Sequence, residues 1–278
     1  MPITTILFDL DDTLLIEHVS VDRALQAAAS LASSRLAVDP EIVIKRARQC
    51  AEVLWQASPT HVICQELGVS AMEGLCSAAP GEHADLTPLK AWLGEYQHAV
   101  WRDVLQTLAC DDDTFAAELA GAYRDHRRQH HVIVPDAGAV LSQLKQSYRL
   151  GLVTNGPADL QSDKLERTKL GRYFDAVAIS GQLRTGKPDP GIFSIILDQL
   201  GSSPAESLMV GDNPLRDVLG ALKAGIQPVW LNPMGALLPI HAGLSSVPEI
   251  RSITELRDLI QRLDRSGDLP ILLQGTER

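Results

Sequence analysis

The sequence contains few aromatic residues and few cysteines. Phe, Trp and Tyr together make up 4% of the 278 residues, so a hydrophobic core must be built mainly from aliphatic side chains. The four cysteines have no Cys-x-x-Cys spacing, which favours reduced thiols over a disulfide framework or a zinc site. No apolar run reaches the length of a membrane span, and the chain does not begin with a basic stretch followed by an apolar one. We therefore expect a cytoplasmic protein with no membrane partner.

Positive charge is also scarce. The formal net charge is −10 and the isoelectric point is near 5.2, which disfavours nucleic acid as a partner. A small phosphate compound held by local groups remains compatible with this charge. Hydrophobic residues make up 45% of the chain, as expected for a soluble globular protein of one large or two ordinary domains.

The first residues combine a buried strand with a cluster of acids. Residues 3–8 include Ile3, Ile6, Leu7 and Phe8, a pattern typical of a strand buried on both faces. Asp9, Asp11 and Asp12 follow at once. Like charges packed so closely raise one another's pKa unless a cation shares them, so the cluster favours a divalent metal or acid/base chemistry. An ordinary acidic turn is the alternative for this stretch taken alone.

The next hundred residues read as successive helices. Asp39-Pro40-Glu41 is a capped helix start, and the segment from Thr87 places apolar residues on one face at three- and four-residue steps. Asp111-Asp112-Asp113 is interpreted as a helix cap rather than a metal loop. The basic residues 124–131 suit the negative end of a helix, with binding of an anionic substrate as the alternative.

From Pro135 onward, strand-like runs alternate with helical ones. Strands are predicted at 150–153, 176–179, 208–210 and 228–231, with helices at 137–146, 159–170, 190–200, 217–224 and 253–263. Such alternation predicts an α/β fold, a Rossmann-like parallel sheet covered on both faces, with an inserted α-helical cap domain. The predicted core comprises residues 1–16 and 134–264, the cap 17–133 and a C-terminal tail 265–278.

Polar residues follow each predicted core strand. Ligands bind parallel sheets beyond the carboxyl ends of the strands, where the sequence would gather the first acids and four further groups: Thr154-Asn155-Gly156, Lys187, Asp212 and Asp217. Each alone is commonly a turn, a loop charge or a helix cap. Together they supply what phosphoryl transfer needs: oxygen ligands for a hard cation, positive charge for the phosphoryl oxygens, a nucleophile and an acid/base.

These segments resemble a known family. Asp9-Leu10-Asp11-Asp12-Thr13, Thr154-Asn155-Gly156, Lys187-Pro188 and Gly211-Asp212 with Asp217 are similar to the four ordered motifs of the haloacid dehalogenase-like (HAD) hydrolase superfamily. The helical insertion after the first motif resembles the α-helical cap subgroup. The stretch from Phe174 to Phe193 is most similar to the phosphatase branch of N-acylneuraminate-9-phosphatase and related nucleotidases.

The resemblance implies a mechanism and a set of site residues. Asp9 would form an aspartyl phosphate that water hydrolyses, and Asp11 would act as acid and then base. Mg2+ would be held by Asp9, the backbone carbonyl of Asp11 and Asp212, with Asp217 completing its surroundings or pairing with Lys187. The phosphoryl group would be bound by Thr154, the amide of Asn155 and Lys187. Asp12 would be a supporting loop residue.

The expected function is Mg2+-dependent hydrolysis of a small phosphate ester by a monomer or homodimer, and no motif marks the substrate. An acid at position 11 argues against a dehalogenase, which needs neither metal nor leaving-group proton. A phosphoacceptor module of the response-regulator receiver type is an alternative without turnover, but it needs no long insertion after its first strand. A non-catalytic binding protein with this fold is a further alternative, disfavoured by the complete acid set.

Overall fold

The computed structural model describes residues 2–237 and 247–266. They fall into two compact units. The first contains the described residues of Met1–Ile16, Ile133–Thr154 and Lys169–Arg278, and the second contains Glu17–Val132 and Asn155–Thr168. Within the described ranges, no helix has both the length and the apolar character needed to cross a membrane.

The first unit is built on a parallel sheet, which confirms the predicted fold class. Its described strands are β1 (Thr5–Phe8), β2 (Arg149–Thr154), β3 (Ala176–Ile179), β4 (Ser207–Gly211), β5 (Gln227–Leu231) and β6 (Glu249–Ile250). Their order is β3-β2-β1-β4-β5-β6, and every pairing is parallel. The chain runs outward from β1 through β2 and β3 on one side and β4 to β6 on the other. The strand order therefore reverses between β1 and β4, which is where parallel sheets bind ligands.

Strand β1 is central and fully buried. Ile6, Leu7 and Phe8 are each 0% exposed, as expected for a strand covered on both faces. Phe8 lies in register with Leu152 of β2 and Val210 of β4. The residues that follow these strands therefore begin at the same edge of the sheet.

Helices account for most of the remaining described residues. In chain order the α-helices are α1 (Glu17–Leu36), α2 (Pro40–Gln56), α3 (His61–Leu67), α4 (Ala71–Gly74), α5 (Thr87–Thr107), α6 (Asp113–Gln129), α7 (Ala137–Leu144), α8 (Ala158–Thr168), α9 (Ser180–Leu183), α10 (Pro190–Leu200), α11 (Leu219–Lys223) and α12 (Leu256–Ser266). Asp39 caps α2 by accepting from the Glu41 N–H, and Asp112 caps α6 by accepting from the Phe115 N–H at 2.9 Å. The capping interpretation of both acidic starts is confirmed.

Four of the five predicted helices have different boundaries in the structure, and one of them, 137–146, ends at Leu144. The predicted helix 217–224 is a π-helical turn, Pro214–Val218, followed by the short α11, because Asn213 caps the Leu215 and Arg216 N–H groups. The predicted helix 159–170 ends at Thr168, and the predicted helix 253–263 begins as the 3-10 turn Ile253–Glu255. The predicted tail starts within α12, and residues 267–278 lie outside the described residues.

The second unit consists of α1–α6 and α8 around an aliphatic and aromatic core. Residues 155–168, which the sequence analysis assigns to the core domain, group with this unit. Leu160 of α8 is part of its hydrophobic cluster, and Lys164 Nζ donates to Glu17 Oε1 at 3.2 Å. Arg127 and Arg128 of the basic cluster pair with Glu17 and Asp159, respectively. These two arginines therefore join α6 to α1 and α8.

Candidate active site

A tight loop after β1 fixes the first acids. The Leu10 carbonyl accepts from the N–H groups of Leu14 at 2.8 Å and Leu15 at 2.9 Å, while the Leu10 and Leu14 side chains are fully buried. Asp12 adopts a left-handed conformation (φ 55°), which aspartate tolerates better than most residues. The Asp9 N–H donates to the Val210 carbonyl at 2.9 Å and so extends the pairing of β1 with β4. The backbone of Asp9 is therefore held by the sheet.

Lys187 joins two of the predicted acids. Its Nζ lies 2.5 Å from Asp9 Oδ1 and 2.7 Å from Asp217 Oδ1. All three residues are buried, with Lys187 only 3% exposed. Charge-assisted hydrogen bonds of this length are strong at low dielectric, so the ammonium fixes both carboxylates.

Thr13 links the loop after β1 to the loop after β4. Its hydroxyl lies 3.3 Å from Asp9 Oδ2 and 3.3 Å from Asp212 Oδ1, and it accepts from the Asp212 N–H at 3.2 Å. The single proton of the Thr13 hydroxyl can be donated to either the Asp9 or the Asp212 carboxylate. Thr13 thus stands between Asp9 and Asp212.

The conformation of Asp217 depends on the turn before it. The Asn213 N–H donates to Asp217 Oδ2 at 2.9 Å, and the Asp217 N–H donates to the Asn213 carbonyl at 2.9 Å. A Cβ atom at Gly211 would lie 2.3 Å from Asp217 Cγ, a distance that real contacts do not reach. A glycine at the end of β4 therefore makes room for this carboxylate.

The electrostatics show an excess of negative charge. Burial raises the pKa of the Asp9 carboxyl to about 7, with Asp217 and Asp11 adding to the shift and Lys187 opposing it. Burial also raises the pKa of Asp212 to about 8, with Asp9 and Asp217 adding to the shift. Burial acts to lower the pKa of Lys187, but Asp217 and Asp9 outweigh it and raise that pKa above its usual value. Lys187 is therefore positively charged, but its single positive charge does not balance the negative charge of the carboxyl groups around it.

This donor set fits a divalent cation. One carboxylate oxygen from each of Asp9, Asp212 and Asp217 lies within 4.8 Å of the others. Carboxylate oxygens are the ligands that hard divalent cations prefer. A bound cation, in addition to the Lys187 ammonium, would lower the raised pKa values of Asp9 and Asp212. The cluster could hold such an ion.

The structure brings together four of the predicted site residues, Asp9, Lys187, Asp212 and Asp217, within the first unit. Asp11 lies two residues after Asp9 and is close enough for its charge to raise the pKa of Asp9. Thr154 is buried at the end of β2, next to β1. Asn155 begins the next segment of the second unit, where its carbonyl accepts from Gln161 Nε2 at 3.0 Å.

Sequence reasoning misses three contributors to this arrangement. In the sequence Thr13 stands out only as part of a motif, and Gly211 only as a neighbour of Asp212. The third is Trp230, whose Nε1 donates to the Asp212 carbonyl at 2.8 Å. A signal exists for Gly211, because a glycine at the end of a buried strand often permits a close approach. The sequence carries no comparable signal for Trp230.

Comparisons with known proteins add a family and two relatives. The profile of the haloacid dehalogenase-like hydrolase family matches residues 3–225. Phosphoserine phosphatase of Thermus thermophilus is 36% identical over 230 residues, 82% of this chain and 88% of the relative. N-acylneuraminate-9-phosphatase of Mus musculus is 32% identical over 180 residues, 64% of this chain and 72% of the relative.

A solved structure shares the fold. The HAD-hydrolase YfnB from Bacillus subtilis, crystallised bound to magnesium, has a TM-score of 0.64 and 22% sequence identity. The match covers 94% of this chain and 100% of that one. At this level of identity the similarity concerns the fold alone.

Proposed function

Because this chain belongs to the haloacid dehalogenase-like hydrolase family, we propose that it is a Mg2+-dependent phosphatase acting on a small phosphate monoester through an aspartyl-phosphate intermediate. The observation that carries the proposal is the cluster of Asp9, Asp212 and Asp217, of which Asp9 and Asp217 contact the buried Lys187 ammonium. Phosphoryl transfer relies mainly on positioning and charge neutralisation, and this cluster combines a carboxylate nucleophile with fixed positive charge.

Asp9 is the nucleophile in this proposal. A carboxylate oxygen of Asp9 attacks phosphorus, the bond between phosphorus and the ester oxygen breaks, and the alcohol leaves. Lys187 holds Asp9 by a 2.5 Å contact and supplies a positive charge for the phosphoryl oxygens. Asp217 keeps Lys187 in place from the other side.

Asp11 moves the proton in both steps. It donates a proton to the leaving oxygen in the first step and takes one from water in the second. That water attacks phosphorus, the bond between phosphorus and the Asp9 oxygen breaks, and inorganic phosphate is released. The Asp9 carboxylate is thereby restored.

The cation and the phosphoryl group would be held by groups at the sheet edge. Asp9, Asp212 and the Asp11 carbonyl would hold Mg2+, with Asp217 beside them. A bound Mg2+ would supply positive charge for the carboxylates and the phosphoryl oxygens. The Thr154 hydroxyl, the Asn155 N–H and Lys187 would bind the phosphoryl group.

The substrate class is best approached through the relatives. Phosphoserine and N-acylneuraminate 9-phosphate, the compounds in the relatives' names, are the first candidates. A screen of these two with sugar phosphates and nucleoside monophosphates, with and without Mg2+, tests the function. We expect Mg2+-dependent phosphate release from at least one of them. Cleavage of haloacids instead, or phosphorylation without release, would contradict the proposal and favour a dehalogenase or a phosphoacceptor module, respectively.

A further inference from the structure

Trp230 reaches the candidate cation site from outside the region that matches the family. The match ends at residue 225, and Trp230 lies beyond it in β5. Its side chain is 3% exposed, and its Nε1 donates to the backbone carbonyl of Asp212 at 2.8 Å. A buried indole N–H normally has a partner, and here the partner belongs to a candidate cation ligand.

The peptide group that accepts this hydrogen bond also holds Asp217. Its carbonyl belongs to Asp212 and its N–H to Asn213, and that N–H donates to Asp217 Oδ2 at 2.9 Å. A hydrogen bond to the carbonyl polarises the peptide and strengthens its N–H as a donor. One peptide plane therefore connects Trp230 to two carboxylates of the cluster.

Residues near the edge of the sheet keep the indole in place. The backbone N–H of Trp230 donates to the Pro248 carbonyl at 2.9 Å, and the backbone N–H of Asn232 donates to the Ile250 carbonyl at 2.8 Å. The indole also packs with Val218 and Leu222, on the turn and helix that follow Asp217. The strand pairing thus holds the backbone of Trp230, and the packing of its ring holds the indole N–H in place.

We propose that Trp230 is a positioning residue for the cation site, which orients Asp212 and Asp217 together through the peptide between Asp212 and Asn213. This inference rests on the proposed function, because it assumes that the cluster binds Mg2+. It assigns a role to the segment after residue 225, which lies outside the family match. Groups that orient cation ligands in this way typically change metal affinity about 10- to 100-fold when removed.

The test compares two Trp→Phe substitutions. Trp230→Phe removes the indole N–H and keeps an aromatic ring. Trp101→Phe is the matched control, because Trp101 is also fully buried but its Nε1 has no hydrogen-bond partner among the described residues. We expect Mg2+ affinity, measured by calorimetry, to fall about tenfold or more in Trp230→Phe and to stay unchanged in Trp101→Phe. The Mg2+ concentration for half-maximal activity should shift by the same factor.

A second measurement uses the unsubstituted protein. Its indole N–H groups, one for each of four tryptophans, give separate signals in a proton–nitrogen NMR spectrum, which the two variants assign. Addition of Mg2+ should shift the Trp230 signal and leave the Trp101 signal in place. The titration itself uses the unsubstituted protein, so this readout does not depend on how Trp230→Phe affects Mg2+ binding.

The outcomes separate this inference from the proposed function. If the unsubstituted protein binds no Mg2+, both fail. If it binds Mg2+ but Trp230→Phe binds equally tightly, or both variants lose affinity equally, only the positioning role is wrong. A Trp230 indole signal that ignores Mg2+ while the protein binds it would also overturn the inference.

Discussion

Asp217 packs against Gly211 so closely that a single added carbon would collide with it. A Cβ atom at position 211 would lie 2.3 Å from both Cγ and Oδ2 of Asp217. Asp217 Oδ1 also lies 2.7 Å from Lys187 Nζ, so the position of the Asp217 carboxylate determines where the ammonium is held. The glycine at the end of β4 is therefore a condition for the charge arrangement of the site.

Gly211→Ala should displace the Asp217 carboxylate and weaken its contact with Lys187. We expect a loss of about 10- to 100-fold in Mg2+ affinity or phosphatase activity, because groups that orient ligands have effects of this size. Gly94→Ala is the control, since a Cβ at Gly94 in α5 meets nothing within 4 Å. That variant should keep full activity and gain about 0.5–1 kcal/mol of stability from helix propensity. Unchanged activity in Gly211→Ala would contradict the claim that the site requires a glycine at this position.

Asp9→Asn should abolish turnover. The amide keeps the size of the side chain but lacks the carboxylate that attacks phosphorus. Asp12→Asn provides the comparison three residues along the same loop. Asparagine tolerates the left-handed conformation of position 12, so this variant should fold and remain active. Phosphate release by Asp9→Asn at the rate of the unsubstituted protein would rule out Asp9 as the nucleophile.

Asp11→Asn should separate the two chemical steps. Loss of the acid/base should slow turnover of an alkyl phosphate by about 100- to 10,000-fold. An aryl phosphate, whose leaving group needs no proton, should still phosphorylate Asp9, and the intermediate should accumulate because water is no longer deprotonated. Mass spectrometry of acid-quenched protein would detect the added phosphoryl group. Equal slowing of aryl and alkyl substrates, without accumulation, would argue against this role for Asp11.

Mg2+ binding should depend on pH. Burial raises the pKa of Asp9 to about 7 and that of Asp212 to about 8, whereas an unfolded Asp has a pKa of about 4. Between these values the native protein binds more protons than the unfolded chain, so without Mg2+ its stability should fall as pH rises. Mg2+ needs the deprotonated carboxylates, so its affinity should increase with pH over the same window and binding should release protons.

Thermal unfolding with and without Mg2+ measures this linkage. The increase in Tm caused by Mg2+ should be larger at about pH 8 than at about pH 6, with ionic strength held constant by NaCl. Calorimetry in buffers of different ionisation enthalpy should detect the released protons. An equal increase in Tm at both pH values would show that the acids of the site are already ionised at the lower one.

Lys187→Met should destabilise the Mg2+-free protein. Removing one partner of a buried ion pair costs about 3–5 kcal/mol, because the remaining charges are left uncompensated. The loss should be smaller at about pH 5, where the carboxylates can take up protons, than at about pH 8. Urea unfolding at both pH values checks this. A loss that does not depend on pH would indicate a packing defect instead.

Most of the sheet and four of the site residues follow from the sequence because two simple rules apply. Buried parallel strands appear as continuous apolar runs, and their carboxyl ends meet at one edge. Asp9 and Asp212 lie 203 positions apart in sequence, yet they follow the neighbouring strands β1 and β4. Their place at the same edge can be expected without knowledge of the strand order.

The remaining features depend on contacts that a local pattern does not encode. Strand β6 has only two residues, too few to show any periodicity. Residues 155–168 have an ordinary amphipathic pattern, and contacts distant in sequence, such as Lys164 with Glu17 and Asp159 with Arg128, group them with the second unit. In the sequence Trp230 is an ordinary buried strand residue, and only the structure shows that its indole N–H donates to the Asp212 carbonyl.

The count of phosphate ions released per protein chain tests the central claim most directly. With excess aryl phosphate and Mg2+, the unsubstituted protein should release many phosphates per chain, and removing Mg2+ with a chelator should stop the release. The account would be contradicted if release ended at one phosphate per chain, or if it continued undiminished in the chelator.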